Sequence, residues 1–188
     1  MKKIPSLFVR DWNGDPAFVT KEVDPLCAWV VAGEGVATRK RDGTAVLIRG
    51  GKLFARYDAK NGKTPPENFE PCGDADPNTG HRPGWVPATR PEDCWIREAF
   101  EACAGFPDGT YEACGPKIGG NAEKLTSHVL FRHGGEGYAG VPKTFDGLKA
   151  WLAGLEIEGV VWHHPDGRMA KIKRSDFGLP WGAKKERR

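Results

Sequence analysis

The chain contains no run approaching the roughly 18 consecutive apolar residues that a membrane-spanning helix requires, so no membrane span is expected. The opening Met1-Lys2-Lys3-Ile4-Pro5-Ser6 is basic but leads into no apolar segment, which predicts no secretory signal. The five cysteines, Cys27, Cys72, Cys94, Cys103 and Cys114, form no C-x-x-C pair. That spacing argues against a zinc knuckle. The odd number argues against a disulfide framework, and the expected setting is the reducing cytoplasm. There is no internal repeat and no low-complexity tract. A formal net charge of only +3 excludes a molecule-wide basic field, and nothing in the pattern speaks to oligomeric state.

What is present is globular in character. At 188 residues, 39% hydrophobic and 28% charged, the chain is long enough to bury a core. Its 25 glycines and 15 prolines predict tight turns and short strands. Charge is unevenly spread. Glu67, Glu70, Asp74 and Asp76 make an acidic loop, whereas Lys171, Lys173, Arg174, Lys184, Lys185, Arg187 and Arg188 make the C-terminal end basic. Such an end suits a polyanionic partner or is simply a solvated tail. The expected organisation is one domain over residues 1–182, irregular through residue 24, followed by a basic tail over 183–188.

Local patterns predict the elements. Residues 27–32 form a short apolar run and read as a buried strand. Ala45–Ile48 and Leu53–Tyr57 flank Gly50-Gly51 and read as a β-hairpin. Residues 58–91 show no periodicity and read as a long loop. Within it, Gly80-His81-Arg82-Pro83-Gly84-Trp85-Val86-Pro87 reads either as a surface that stacks on bases or as a loop pinned by Trp85. Pro91–Cys103 predicts a helix, with Pro91 at its first position and Gly105 beyond its end. Thr110–Cys114 and Leu125–Phe131 predict strands. Thr144 predicts the cap of a helix over Phe145–Leu155. Glu158–Trp162 and Arg168–Lys173 predict a hairpin whose alternation turns Lys171 and Lys173 the same way.

Lys40-Arg41-Asp42-Gly43 follows one apolar run and precedes another. A lysine held among cations and partly desolvated has a lowered pKa and becomes a nucleophile, able to attack the α-phosphate of a nucleoside triphosphate. The same four residues also suit an ordinary surface turn. Arg56 reads as a phosphate ligand or a strand-face residue. Glu112 lies within a strand, where a carboxylate is costly unless it has a partner. Glu158, Lys171 and Lys173 bring a carboxylate and two amines to one hairpin, as a metal–phosphate pocket needs and as a cross-strand salt bridge also would.

In chain order, Lys-x-Asp-Gly, Arg56, the strand-borne Glu112, Glu158-Gly159-Val160-Val161 and Lys171-x-Lys173 resemble the motif series of the covalent nucleotidyltransferases: ATP-dependent DNA and RNA ligases and mRNA capping enzymes. Gly80–Pro87, Gly115–Asn121, His133-Gly134, Glu158–His163 and Phe177–Trp181 resemble segments of the vertebrate 5′-3′ RNA ligase family. The likeness spans about residues 35 to 182. Ala45 stands where DNA ligases and capping enzymes usually carry Arg, which favours RNA ligase.

The resemblance implies an α+β nucleotidyltransferase domain, with two antiparallel sheets, a nucleotide groove and flanking helices. It implies that Lys40 becomes linked to AMP from ATP, with Mg²⁺ (or Mn²⁺). Asp42 and Gly43 of the motif, with Arg56, would flank the nucleotide or the 5′-phosphate end. Glu112 would bind the ribose, Phe131 would stack on adenine and Glu158 would serve the metal. Lys171 and Lys173 would hold the α-phosphate. The implied partner is RNA with 5′-phosphate and 3′-hydroxyl ends. The stretches before Lys40 and after Lys173 are too short for an OB-fold, so RNA is expected to be gripped by the core, the 58–91 loop, the basic end or a partner. The alternatives are a DNA ligase, a capping-type enzyme, or a non-catalytic RNA-binding module of the same fold.

Overall fold

The computed structural model describes residues 3–76, 79–103 and 105–182, and the expected basic tail over 183–188 lies outside them. The described residues form two compact units. One comprises residue 3 with 42–133, the other residues 4–41 with 134–182. The class is α+β, with antiparallel sheets and few helices.

The first unit is built on a six-stranded sheet: β4 (Thr44–Arg49), β5 (Lys52–Ala59), β6 (Glu70–Pro71), β7 (Arg82–Pro87), β8 (Gly109–Cys114) and β9 (Val129–Arg132). Their spatial order is β6-β7-β5-β4-β8-β9, and every pairing is antiparallel. Strand alternation sends Val46, Ile48, Ala55, Val86, Tyr111 and Leu130 into one core with Ile96 and Ala99 of helix α2 (Cys94–Glu101). Pro91 opens the short 3₁₀ turn that leads into α2, as expected of a residue whose missing N–H costs nothing there.

The second unit holds the four-stranded sheet β10-β3-β11-β12, made of β3 (Val36–Lys40), β10 (Gly137–Tyr138), β11 (Gly159–His163) and β12 (Met169–Lys173). Its core gathers Ala37, Val160, Trp162, Ala170 and Ile172 from one sheet face, Leu148 and Leu152 from helix α3 (Phe145–Ala153), and Leu7 and Phe8 from the N-terminal segment. Thr144 accepts the Gly147 N–H at 3.3 Å and so starts α3, as its sequence position suggests.

Four local expectations need correction. The run over 27–32 is not a strand: Pro25–Cys27 forms a 3₁₀ turn that continues as helix α1 (Ala28–Val31). The Asp24 carboxylate accepts the Leu26 N–H at 2.9 Å and Pro25 takes the first position, a start signal that outweighs a short apolar run. Residues 1–24 are not irregular throughout, because β1 (Phe8–Arg10) pairs with β2 (Val19–Val23). Residues 4–7 also run beside β12, where Leu7 donates to the Lys171 carbonyl at 2.7 Å and Lys171 donates to that of Pro5 at 2.9 Å. The 58–91 stretch contains β7, a six-residue strand inside the sheet. The strand expected over Leu125–Phe131 begins only at Val129 and ends at Arg132.

Candidate active site

Three amines share one face of the second unit's sheet. Lys40 is opposite Gly159, and Gly159 is opposite Lys173. One step along the strands, Thr38 is opposite Val161 and Val161 is opposite Lys171. Period-two alternation therefore points Lys40, Lys171 and Lys173 away from the face that carries Ala37, Trp162 and Ala170 into the core. Gly159 is required by close approach. A Cβ there would lie 2.1 Å from the Ile172 carbonyl oxygen, so the backbone between two lysine-bearing strands stays bare.

Glu158 stands at the entrance to β11 and is 9% exposed. Its Oε2 forms an ion pair with the Lys40 Nζ, which also donates to the Arg41 carbonyl at 3.3 Å. The Glu158 carbonyl accepts the Arg174 N–H at 2.8 Å, tying the start of β11 to the end of β12. Burial, then the neighbouring Lys40 and Lys173 charges, push the Lys171 ammonium down from its ordinary 10.5 to about 8; Asp176 and Glu158 pull the other way. Beneath the amines sits Asp176, 1% exposed. It accepts the Lys173 backbone N–H at 2.8 Å and pairs with Arg10 at 2.9 Å.

The first unit assembles a second set of residues. Ala45 is opposite Glu112 and Glu112 is opposite Phe131. Arg56 follows the inward-facing Ala55 and is opposite Trp85, so it belongs to the same outer face. Glu112, costly in a strand if unpartnered, has two partners. Its Oε1 accepts the Gly43 N–H at 3.1 Å, and its Oε2 meets His133 Nε2 at 2.9 Å. The adjacent Asp42 N–H donates to Glu123 at 3.1 Å. Gly43 fits because a Cβ there would press on the Ala113 carbonyl at 2.1 Å and the Cys114 sulfur at 2.8 Å. Arg56 bonds Asp58 at 3.2 Å, lies over the Trp85 ring at 5.7 Å, and borders a cavity of about 460 Å³ with Asp58, Asp76 and His81. Trp85 itself is 6% exposed, which leaves the pinned reading of that segment and removes Trp85 as a base-stacking surface.

The structure therefore brings Lys40, Glu158, Lys171 and Lys173 together within the second unit. Within the first it brings together Gly43, Glu112 and Phe131, while Arg56 stands on the far side of β4. Reading the sequence for motifs missed Asp176, Arg10 and Glu123. Glu123 lies in a loop that turns through Gly119 and Gly120, with Asn121 and Lys124 at positive φ of 55°, and accepts the Asp42 N–H. No group of three or more metal-ligating side chains occurs among the described residues.

In sequence the chain resembles RNA ligases. The family model described as RNA ligase 1 matches residues 102–187, a span that includes Glu112, Phe131, His133, Glu158, Lys171 and Lys173. RNA ligase 1 of Pongo abelii is 31% identical over 137 residues, covering 54% of this chain and 42% of that protein. RNA ligase 1 of Danio rerio and that of Rattus norvegicus are each 29% identical over 150 residues, covering 61% of this chain and 45% of theirs. The chain thus spans less than half the length of these relatives.

Proposed function

We propose that this protein is an ATP-dependent RNA ligase that works through a lysyl-AMP intermediate on Lys40. The observation that carries the reading is the row of amines on β3 and β12, with Glu158 paired to Lys40. The neutral Lys40 Nζ attacks the α-phosphorus of ATP, a P–N bond forms, and the bond to pyrophosphate breaks. Lys171 and Lys173 hold the α-phosphate and offset the charge that grows on the leaving group. AMP then passes to an RNA 5′-phosphate, and a 3′-hydroxyl displaces it to form the new phosphodiester. Asp42 and Arg56 contact the nucleotide or the 5′-phosphate end, Glu112 binds the ribose and Phe131 stacks on the adenine.

Mg²⁺ (or Mn²⁺) fits the donor set. Such ions are commonly held by one or two carboxylates together with substrate phosphates, and Glu158 supplies a carboxylate among phosphate-binding amines. When bound there, the ion spreads phosphate charge and disfavours the protonated form of Lys40. Incubation with ATP and Mg²⁺ is expected to add the mass of one AMP to the wild type and nothing to Lys40→Ala. An unmodified wild type would overturn the proposal. Joining of 5′-phosphorylated RNA, against DNA of the same sequence and against GTP in place of ATP, tests the substrate classes.

A further inference from the structure

His133 follows β9, and its backbone N–H donates to the Thr110 carbonyl at 3.1 Å. Its Nε2 lies 2.9 Å from Glu112 Oε2. A carboxylate only accepts, so Nε2 carries the hydrogen. The other ring nitrogen, Nδ1, is buried and has no hydrogen-bond partner among the described residues.

Two other histidines in this molecule behave differently. His128 uses both nitrogens to join separate segments, with Nδ1 at 2.9 Å from Glu98 and Nε2 accepting the Lys117 N–H at 3.2 Å. His164 likewise engages Glu34 through Nε2 at 2.8 Å and Asp166 through Nδ1 at 2.7 Å. A histidine kept for local packing pairs its polar atoms, because a buried unpaired nitrogen costs about 1–3 kcal/mol. His133 bears that cost and spends its polar contact on one carboxylate.

We infer that His133 is a positioning residue that fixes the Glu112 carboxylate for recognition of the nucleotide's ribose; this rests on the ATP-dependent reading above. The geometry leaves Glu112 able to do so. Each carboxylate oxygen offers two acceptor sites. Oε1 spends one on the Gly43 N–H and Oε2 spends one on His133, so each oxygen keeps one for a sugar hydroxyl. Held at both ends, the carboxylate cannot rotate about its terminal torsion. Freed from His133 it is held by the Gly43 N–H alone, and its remaining acceptor site is no longer aimed.

The test uses the whole protein and measures the rate of lysyl-AMP formation against concentration for ATP, 2′-deoxy-ATP and 3′-deoxy-ATP. His133→Leu keeps much of the side-chain volume and removes the donor. It is expected to raise the KM for ATP about tenfold, the scale of one lost charge-assisted hydrogen bond, with the saturating rate little changed. The preference for ATP over the deoxy analogue that the wild type discriminates against should collapse in parallel. His133→Gln, whose side-chain amide can donate from near the Nε2 position, is expected to recover both KM and preference. A His133→Leu protein with wild-type KM and sugar preference would overturn the inference while leaving lysyl-AMP chemistry intact. If the leucine variant does not fold, the glutamine variant decides: retained sugar preference supports the positioning role and lost preference overturns it. A wild type that forms no lysyl-AMP overturns the parent reading and this inference together.

Discussion

Lys40 and Lys173 stand on either side of Gly159 in one cross-strand row, on strands β3 and β12 that are joined only through β11. The whole of segment 42–133 and about forty residues more separate them in sequence, and the antiparallel register puts them on one face. The residue between them in that row carries no side chain, and a Cβ there would meet the Ile172 carbonyl oxygen at 2.1 Å.

Gly159→Ala tests that arrangement directly. The new methyl would meet the Ile172 carbonyl, so β11 and β12 must part or the register must strain. Overpacking of this kind costs about 1–3 kcal/mol. The variant should unfold at lower urea concentration than the wild type with an unchanged m-value. On the proposed reading it should also lose lysyl-AMP formation more steeply than its stability loss explains, since β12 and its two lysines shift relative to Lys40.

Lys171→Met is expected to stabilise the fold at neutral pH. The Lys171 amine falls from its ordinary 10.5 in the unfolded chain to about 8 in the folded one. Below pH 8 both states hold the proton, and the folded state bears the full cost of a buried ammonium beside two others. Between about 8 and 10.5 only the unfolded state still holds it, so wild-type stability rises with pH. Above 10.5 neither state is charged and the cost is gone. The methionine variant should therefore exceed the wild type by about 1–3 kcal/mol at pH 7, with the gap closing by pH 10.5. Urea titrations at a series of pH values read this out, and a gap that widened toward alkaline pH would contradict it.

On the proposed ATP-dependent reading, the same amine would link ATP binding to proton uptake. A triphosphate beside Lys171 favours its charged form and raises its pKa again. At pH 9, where the free protein has largely lost that proton, binding should draw one in. Calorimetric titrations in two buffers of different ionisation enthalpy should give slopes corresponding to uptake in the wild type and to little or none in Lys171→Met.

Much of this was legible from sequence, and where it was not, the reasons are physical. The β11–β12 hairpin could be read because alternation runs unbroken to the Pro165-Asp166-Gly167 turn, and that alternation alone places Lys171 and Lys173 on one face. Helix α1 was misread because six apolar residues suit a buried strand as well as a helix. The arbiter was the Asp24-Pro25 pair just upstream. Strand β7 was hidden by Pro83 and Pro87, which weaken any strand assignment. Its outer neighbour β6 pairs only with Gly84 and Trp85, and a proline lacking its N–H is tolerated beyond those positions. The Arg10–Asp176 pair joins opposite ends of the chain, and no local pattern points to such a contact.

That pair yields the last prediction. Asp176 is almost fully buried, holds the Lys173 backbone N–H and faces Arg10, whose guanidinium also donates to the Ala17 carbonyl at 3.1 Å. Breaking a buried ion pair from one side leaves the remaining charge without compensation and typically costs about 3–5 kcal/mol. Asp176→Ala also strips the acceptor from Lys173 and removes one of the two carboxylates that pull the Lys171 ammonium upward. Arg10→Ala should be the costlier single variant, because it leaves the Asp176 carboxylate, 1% exposed, without its guanidinium, whereas Asp176→Ala leaves a partly exposed Arg10 that water can solvate. The double variant should be less destabilised than the sum of the singles, as expected for partners in contact. Urea unfolding of the four proteins in one buffer gives the coupling, and strict additivity would show that Arg10 and Asp176 act independently.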